Sequence, residues 1–168
     1  MHINKQLISV IMSLDKLINQ AQACIYKHPC KDNYYFSYKN FNCYVRRNMS
    51  LAFCGYITIP NNIDLPEDMY DDMDCPITVH GNFTYCGVDD NNLKVLGFDC
   101  AHYNDFVPMY HIVFDDLKNQ QLINMFSKLN ELNDYTKMIY WSFDMVINEI
   151  KNVVDQIIQY QKPSELPP

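Results

Sequence analysis

The fold is decided by a stretch of sequence that reads PITVHGNFTYCGV at residues 76–88, DDNN at 89–92 and LKVLGFD at 93–99. Apolar and polar residues alternate through the first part, which is typical of a strand with one buried face. The four polar residues that separate the two apolar parts are a strong turn signal. The stretch therefore predicts an antiparallel hairpin.

The alternation divides the first strand of this hairpin into two faces. Ile77, Val79, Phe83 and Tyr85 fall on a core face, and Gly81 lies between them. The opposite face carries Thr78, His80, Asn82, Thr84 and Cys86. Because one polar face of a strand normally meets water, solvent exposure is one interpretation of this second face. A binding site is the other.

Further elements extend outward from the hairpin. Residues 42–47 and 51–59 are predicted strands, and residues 24–41 are predicted to be irregular. Apolar residues at helical spacing predict an N-terminal helix over 3–23 and a C-terminal helix over 136–161. The sequence thus predicts an α+β fold, with an antiparallel sheet of about four to five strands packed against the N- and C-terminal helices.

The rest of the chain is assigned more coarsely. Residues 115–132 are predicted to form another helix, and residues 61–75 an acidic surface loop. Residues 1–162 are expected to form a single domain, and 163–168 a flexible proline-rich tail. The segment 107–135 receives no functional role.

Composition limits the classes of function. Of the 168 residues, 48% are hydrophobic and 20% charged, which is typical of a globular protein. The net charge of −7 argues against direct nucleic-acid binding, and no apolar run reaches the roughly 18 residues of a membrane span. The number of cysteines is seven, which is odd, and no two of them form a Cys-x-x-Cys pair, so we expect reduced thiols in a cytoplasm.

A second stretch reads GFDCAHYND at residues 97–105. Asp99, His102 and Asp105 follow one another at intervals of three, so a helical turn would project them to one side. A carboxylate beside an imidazole fixes the tautomer of the ring and raises its pKa. Together with His80 these residues predict a ligand-binding or catalytic cluster, and a local loop network is the alternative.

The two stretches resemble the motifs of a family of small proteins from phages and bacterial genomes. Its members carry His-Gly-Gly-x-Thr-Tyr, matched here by residues 80–85, and then Gly-Phe-Asp-Cys-x-His-x-x-Asp, matched by residues 97–105. Asn82 departs from the second glycine, so the turn there is expected to differ. The family is mostly uncharacterised, and the resemblance therefore implies a phage origin without a function.

Weaker matches to the same family lie on either side of the two motifs. Residues 43–48 and 54–56 match upstream, and the family arginine falls best on Arg47. Near the C-terminus, Tyr140, Glu149 and Gln156 match the final helix of the family.

The first functional hypothesis is a phage counter-defence protein that binds and sequesters a nucleotide-derived immune signal. Phages encode compact proteins that capture cyclic ADP-ribose derivatives or cyclic dinucleotides, and such a site needs donors for phosphates and aromatic rings for bases. The candidate ligand-binding residues are Arg47, Tyr56, His80, Thr84, Tyr85, Asp99, His102, Asp105 and Trp141. No cofactor and no metal ion are predicted.

Two alternatives stay open. In a metal-independent phosphodiesterase, His80 and His102 would act as base and acid. Asp99 or Asp105 would orient an imidazole, and Arg47 would neutralise developing charge. Thr84 lies four residues after His80, which does not fit the His-x-Ser/Thr pairs of two-histidine phosphoesterases and disfavours catalysis. The other alternative is an acidic inhibitor of a protein partner, such as an anti-CRISPR protein. In each case the terminal helices can form a homodimer interface.

Overall fold

A computed structural model describes residues 5–29, 33–66, 75–110 and 136–161. The elements in these ranges are helix α1 (Lys5–Lys27), strands β1 (Tyr34–Tyr38), β2 (Phe41–Arg47), β3 (Phe53–Thr58), β4 (Tyr85–Val88) and β5 (Lys94–Asp99), and helix α2 (Phe143–Tyr160). The strands form one antiparallel sheet in the order β1-β2-β3-β5-β4. The predicted α+β fold is confirmed.

Helix α2 packs on one face of the sheet. Its apolar stripe is buried, namely Val146, Ile150, Val153, Val154 and Ile157. The stripe meets the residues of β2, β3 and β5 that point to the same side, among them Val45, Ile57 and Phe98. Strand alternation therefore produces the main core, as the sequence predicted.

The C-terminal helix begins later than the predicted residue 136. Ser142 is the N-cap, and its hydroxyl accepts a hydrogen bond from the backbone N–H of Met145 at 3.4 Å. Before the cap, Ile139 forms a parallel bridge with Asp105. The residues ahead of Ser142 thus tie the 97–105 stretch to the start of α2.

Helix α1 packs against residues that neighbour the 97–105 stretch and the start of α2. Leu17 and Ala21 are buried in a second apolar cluster with Phe106 and Tyr140. No described helix is both long and apolar enough to cross a membrane.

The sheet contains a strand that the sequence analysis assigned to an irregular segment. Strand β1 pairs with β2 through a two-residue turn in which Lys39 and Asn40 both have positive φ. The sequence of β1 is YYFSY, with aromatic residues on both faces. Alternation of apolar and polar residues was therefore absent, and the strand was missed.

The hairpin of β4 and β5 is confirmed, but β4 is shorter than predicted. A backbone hydrogen bond of 3.1 Å from the N–H of Asn82 to the carbonyl of Val79 closes a turn, and β4 begins only at Tyr85. Phe83 is buried as predicted. Tyr85 is 41% exposed and is no part of the core, which corrects the predicted face of this residue.

Three predictions lie wholly or partly outside the described residues. They are the helix over 115–132, most of the acidic loop over 61–75, and the tail over 163–168.

Candidate functional site

Two histidines share one buried carboxylate on the side of the sheet that α2 covers. Oδ2 of Asp105 lies 2.8 Å from Nε2 of His80 and 3.3 Å from Nδ1 of His102. The Asp105 side chain is 3% exposed, whereas those of His80 and His102 are 23% and 31% exposed. We call these three residues the histidine cluster. Its rings face solvent and its carboxylate lies beneath them.

A tight turn brings His102 and Asp105 together. The backbone N–H of Asp105 donates to the carbonyl of His102 at 2.9 Å, and the backbone N–H of His102 donates to Oδ2 of Asp105 at 2.8 Å. The spacing of three residues therefore places the two side chains next to each other, as expected from the sequence. Asp99 has a different role, because its Oδ1 accepts from the backbone N–H of Ala101 at 3.0 Å and caps its own turn.

His80 reaches the cluster from the turn that precedes β4. Its backbone N–H donates to Oε1 of Glu149 on α2 at 2.8 Å. Its ring packs on Trp141 with centroids 4.1 Å apart, and meets the ring of His102 edge to face at 5.1 Å. Contacts from α2 and from the residue before its N-cap thus fix the position of His80.

The turn next to His80 depends on two residues with left-handed backbones. Gly81 has φ 66°, and a Cβ atom there would overlap the ring of His102. Only glycine fits, because it combines this conformation with the absence of a side chain. Asn82 has φ 67°, a conformation that asparagine adopts more readily than most residues. Glycine can adopt the same backbone conformation, so the departure from the second glycine of the motif does not require a different turn.

Arg47 does not join the histidines. Its guanidinium donates to the backbone carbonyls of His28 and Leu51 and to the hydroxyl of Tyr140, and it lies 3.7 Å from the ring centroid of Phe53. The residue is buried. Among the described residues, no hydrogen bond or ring contact connects Arg47 to the histidine cluster. The sequence analysis grouped Arg47 with the histidines as a ligand-binding residue, and the structure corrects this grouping, because its nitrogens are already bonded inside the protein.

The opposite face of the sheet carries a row of tyrosines that we call the tyrosine row: Tyr35 on β1, Tyr44 on β2, Tyr56 on β3 and Tyr85 on β4. Successive ring centroids are 5.4, 4.5 and 5.6 Å apart, and the rings of Tyr44 and Tyr56 are stacked at 8°. Gly97 on β5 makes room for the row, because a Cβ atom there would press against Tyr56.

A single arginine lies over the tyrosine row. The Cζ atom of Arg46 is 4.9 Å from the ring centroid of Tyr56, and the side chain is exposed. Burial raises the pKa of Tyr56 to about 12 and also raises the pKa of Tyr44. Both phenols are therefore neutral near pH 7, and that of Tyr56 is hydrogen-bonded to the side chain of Arg46.

A cavity of about 570 Å³ opens on this tyrosine-bearing face. Its wall includes Tyr35, Tyr44, Tyr85, Arg46, Asp89 and Asp90. Small-molecule sites commonly have volumes of roughly 300–1,000 Å³ and combine aromatic walls with a few polar groups. We call this cavity the tyrosine pocket.

The sequence-based candidates are thus divided between the two sides of the sheet. His80, His102, Asp105 and Trp141 lie together on the α2 side, whereas Tyr56 and Tyr85 belong to the tyrosine row. Thr84 is exposed beside β5, where its backbone N–H donates to the carbonyl of Gly97 at 2.9 Å.

Sequence reasoning missed Tyr35, Tyr44 and Arg46. The signal that could have found the last two is the alternation of β2, in which Tyr44 and Arg46 point away from the buried residues Cys43 and Val45. Tyr35 gave no such signal, because aromatic residues occupy both faces of β1.

The histidine cluster also bears on the expectation that no metal ion binds. Nε2 of His80, Nδ1 of His102 and a carboxylate oxygen of Asp105 all lie within 4.8 Å of one another. Imidazoles and carboxylates are common ligands of first-row metal ions. The described residues therefore include a possible set of metal ligands that the sequence spacing did not indicate.

Cysteine chemistry is disfavoured at Cys100, which lies in the middle of the second motif. Burial strongly raises the pKa of its thiol, and the nearby carboxylates of Asp105 and Asp99 act in the same direction. Because the thiolate is the nucleophilic form, this cysteine is suited to packing.

No protein-family model, no curated protein and no solved structure matches the chain. The resemblance of residues 80–85 and 97–105 to phage proteins thus stays a prediction. The geometry of the two sites carries the proposals that follow.

Proposed function

We propose that this protein is a phage counter-defence protein that binds and sequesters a nucleotide-derived immune signal in the tyrosine pocket. The signal is of the cyclic ADP-ribose or cyclic dinucleotide type. The observation that carries the proposal is a cavity of about 570 Å³ with an aromatic wall and one exposed guanidinium. The phage assignment is supported only by the resemblance of the two motifs.

The aromatic part of the pocket suits a nucleobase. Tyr35 and Tyr85 are exposed and present ring surface at either end of the stacked pair formed by Tyr44 and Tyr56. Stacking of a base on an aromatic side chain contributes about 1–3 kcal/mol and tolerates different bases. The row thus offers more than one position for a base, which suits a ligand that contains two of them.

The polar part of the pocket can orient the ligand. Arg46 supplies a planar, permanently charged donor for a phosphate. Asp89 and Asp90 lie on the wall as well, and carboxylates accept from ribose hydroxyls and exocyclic amines. Like charges repel, so the phosphate belongs beside Arg46 and the sugar or base edge beside the aspartates.

Binding without turnover fits the lining of the pocket. Among the described residues that form the wall, there is no histidine, and the one cysteine is Cys43. Burial raises the pKa of its thiol to about 12, so it is protonated and a poor nucleophile near pH 7. The described wall thus offers neither a histidine nor a reactive thiol, which supports capture over turnover, and we assign its aspartates to contacts with the ligand.

A phosphodiesterase is the second candidate function, and the histidine cluster favours it. His80 and His102 are partly exposed, and each is hydrogen-bonded to the same carboxylate. Two imidazoles oriented in this way are able to act as base and acid. Under this alternative the ligand would be consumed on the α2 side of the sheet.

One experiment tests capture against cleavage. Tag-free protein is incubated with a panel of cyclic ADP-ribose, cyclic di-AMP and cyclic di-GMP, and the free nucleotides are separated by ultrafiltration. The retained fraction is heated and analysed by mass spectrometry. We expect depletion of a panel member and its release in intact form.

Matched variants connect the result to the pocket. Tyr85→Ala and Arg46→Gln should each weaken retention by about 10- to 100-fold, since each removes one ring or one charged contact. Tyr26→Ala is the control, because Tyr26 is 92% exposed on α1. Failure to deplete any nucleotide, or equal retention by Tyr85→Ala, contradicts the proposal. New products that disappear in His80→Ala replace it with the enzymatic alternative.

A further inference from the structure

We infer that the histidine cluster binds one divalent first-row metal ion, such as Zn²⁺. The three protein ligands leave one coordination position of the ion open. This site is separate from the tyrosine pocket. It uses His80, His102 and Asp105, which lie on the α2 side of the sheet.

The donor atoms lie close to the spacing of metal ligands, with the His80–Asp105 pair slightly shorter than that spacing. Zinc binds histidine nitrogen and carboxylate oxygen at about 2.0–2.2 Å, which places neighbouring ligand atoms roughly 3–3.5 Å apart. Nε2 of His80 and Nδ1 of His102 are 2.8 and 3.3 Å from Oδ2 of Asp105. All three atoms lie within 4.8 Å of one another. Small side-chain movements therefore suffice to admit an ion.

The donor set fits the same class of ion. Two imidazoles and one carboxylate are typical of catalytic zinc and of iron(II) sites, in which three protein ligands leave room for a further ligand. A divalent cation would also offset the charge of the Asp105 carboxylate, which is almost fully buried.

The surrounding residues hold each ligand in place. Glu149 binds the backbone N–H of His80, and Trp141 packs against its ring. The ring of His102 rests on Gly81, where any larger residue would displace it. Asp105 is fixed by the turn that it forms with His102 and by its bridge to Ile139. A site whose ligands are positioned before the ion arrives binds it with a smaller loss of conformational freedom.

The open position faces solvent. The two imidazoles are 23% and 31% exposed, whereas the carboxylate lies below them. An ion held by the three atoms would thus complete its coordination with water or with an anionic oxygen, such as that of a phosphate.

The alternative is that Asp105 only braces the two imidazoles through hydrogen bonds. The two interpretations differ in what the protein does with added metal. A hydrogen-bonded brace needs no ion and does not depend on one for stability. A metal site gains stability from the ion, because the ion binds the folded state.

The test is calorimetric titration of tag-free, chelator-treated protein with Zn²⁺, followed by titration with Co²⁺ and measurement of visible absorption. We expect one ion per chain, a dissociation constant in the micromolar range or tighter, and Co²⁺ absorption bands from a site with nitrogen and oxygen ligands. We also expect Zn²⁺ to raise the melting temperature.

The variants His80→Ala, His102→Ala and Asp105→Asn should each weaken Zn²⁺ binding by about 100-fold or more, since each removes one of three ligands. Asp99→Asn is the matched control, because Asp99 lies in the same stretch and bonds its own turn. It should bind Zn²⁺ like the natural sequence. If Asp105→Asn fails to fold, the two histidine variants decide the question.

No binding at micromolar Zn²⁺ overturns the inference, and so does equal binding by the natural protein and by both histidine variants. Because Tyr85 and Arg46 are not part of the cluster, either result leaves the nucleotide proposal to its own test.

Discussion

Arg46 and Arg47 are neighbours in the sequence, yet they lie on opposite sides of the sheet. Arg47 is buried on the α2 side, where its guanidinium donates to three oxygen acceptors. Arg46 is exposed over Tyr56 on the side opposite α2. The two candidate sites are separated in the same way, since the histidine cluster lies on the α2 side and the tyrosine pocket lies on the opposite side. Strand alternation therefore decides which arginine serves the fold and which is available to a ligand.

The two arginines should differ most in their effect on stability. Arg47→Gln should lower the free energy of unfolding by about 3–5 kcal/mol, because it removes charged hydrogen bonds and leaves buried acceptors without a partner. Arg46→Gln should change it by less than about 0.5 kcal/mol, as expected for an exposed side chain. Urea unfolding of both variants measures the difference. Equal losses would mean that the sides of the sheet are not distinct in this way.

The turn beside the histidine cluster should be nearly as sensitive. Gly81→Ala should destabilise the protein by about 2–4 kcal/mol, because alanine is strained at φ 66° and its Cβ atom overlaps the ring of His102. Asn82→Gly is the control. Since Asn82 already has a left-handed backbone, its replacement should change the unfolding free energy by less than about 1 kcal/mol. A tolerated Gly81→Ala would contradict the packing described for His102.

The buried phenol of Tyr56, in the tyrosine row, should make the free energy of unfolding depend on pH in the alkaline range. The pKa of Tyr56 is about 12 in the folded protein and 10.0 in an ordinary setting, so the unfolded chain loses this proton first as the pH rises. Stability is therefore fully present below pH 10 and falls between pH 10 and 12, by up to about 2 kcal/mol.

Tyr56→Phe removes the titrating group and keeps the ring. The stability of this variant, measured by urea unfolding at several pH values, should fall less steeply above pH 10 than that of the natural protein. Tyr26→Phe, on the exposed surface of α1, should leave the pH profile unchanged. Identical profiles for Tyr56→Phe and the natural protein would mean that Tyr56 is not shielded from water.

The helices and strands in which apolar residues recur at a regular interval could be predicted from the sequence. The terminal helices and the strands around Val45, Ile57 and Leu96 follow from apolar spacing alone. Strand β1 could not be predicted, because aromatic residues on both of its faces hide the alternation. Of the predicted strand over 76–88, only the part from Tyr85 is confirmed, since two left-handed residues, Gly81 and Asn82, turn the chain before β4.

The candidate sites were predictable in part. The interval from His102 to Asp105 is a local feature, so their contact could be inferred from a single turn. His80 lies in a separate segment, and its contact with this pair was expected only because the two motifs are close together in the sequence. Arg46 was passed over in favour of Arg47, because the choice depends on which face of β2 meets α2, and that is a property of the tertiary structure.

The most direct test of the difference between the two sides uses a nucleotide retained from the panel. Its affinity is measured by calorimetry for the natural protein, Tyr85→Ala and Asp105→Asn. If the nucleotide occupies the tyrosine pocket, Tyr85→Ala weakens binding by about 10- to 100-fold and Asp105→Asn leaves it unchanged. The reverse pattern is a loss of nucleotide affinity in Asp105→Asn with full affinity in Tyr85→Ala. It would place the ligand at the histidine cluster and contradict the proposed role of the tyrosine pocket.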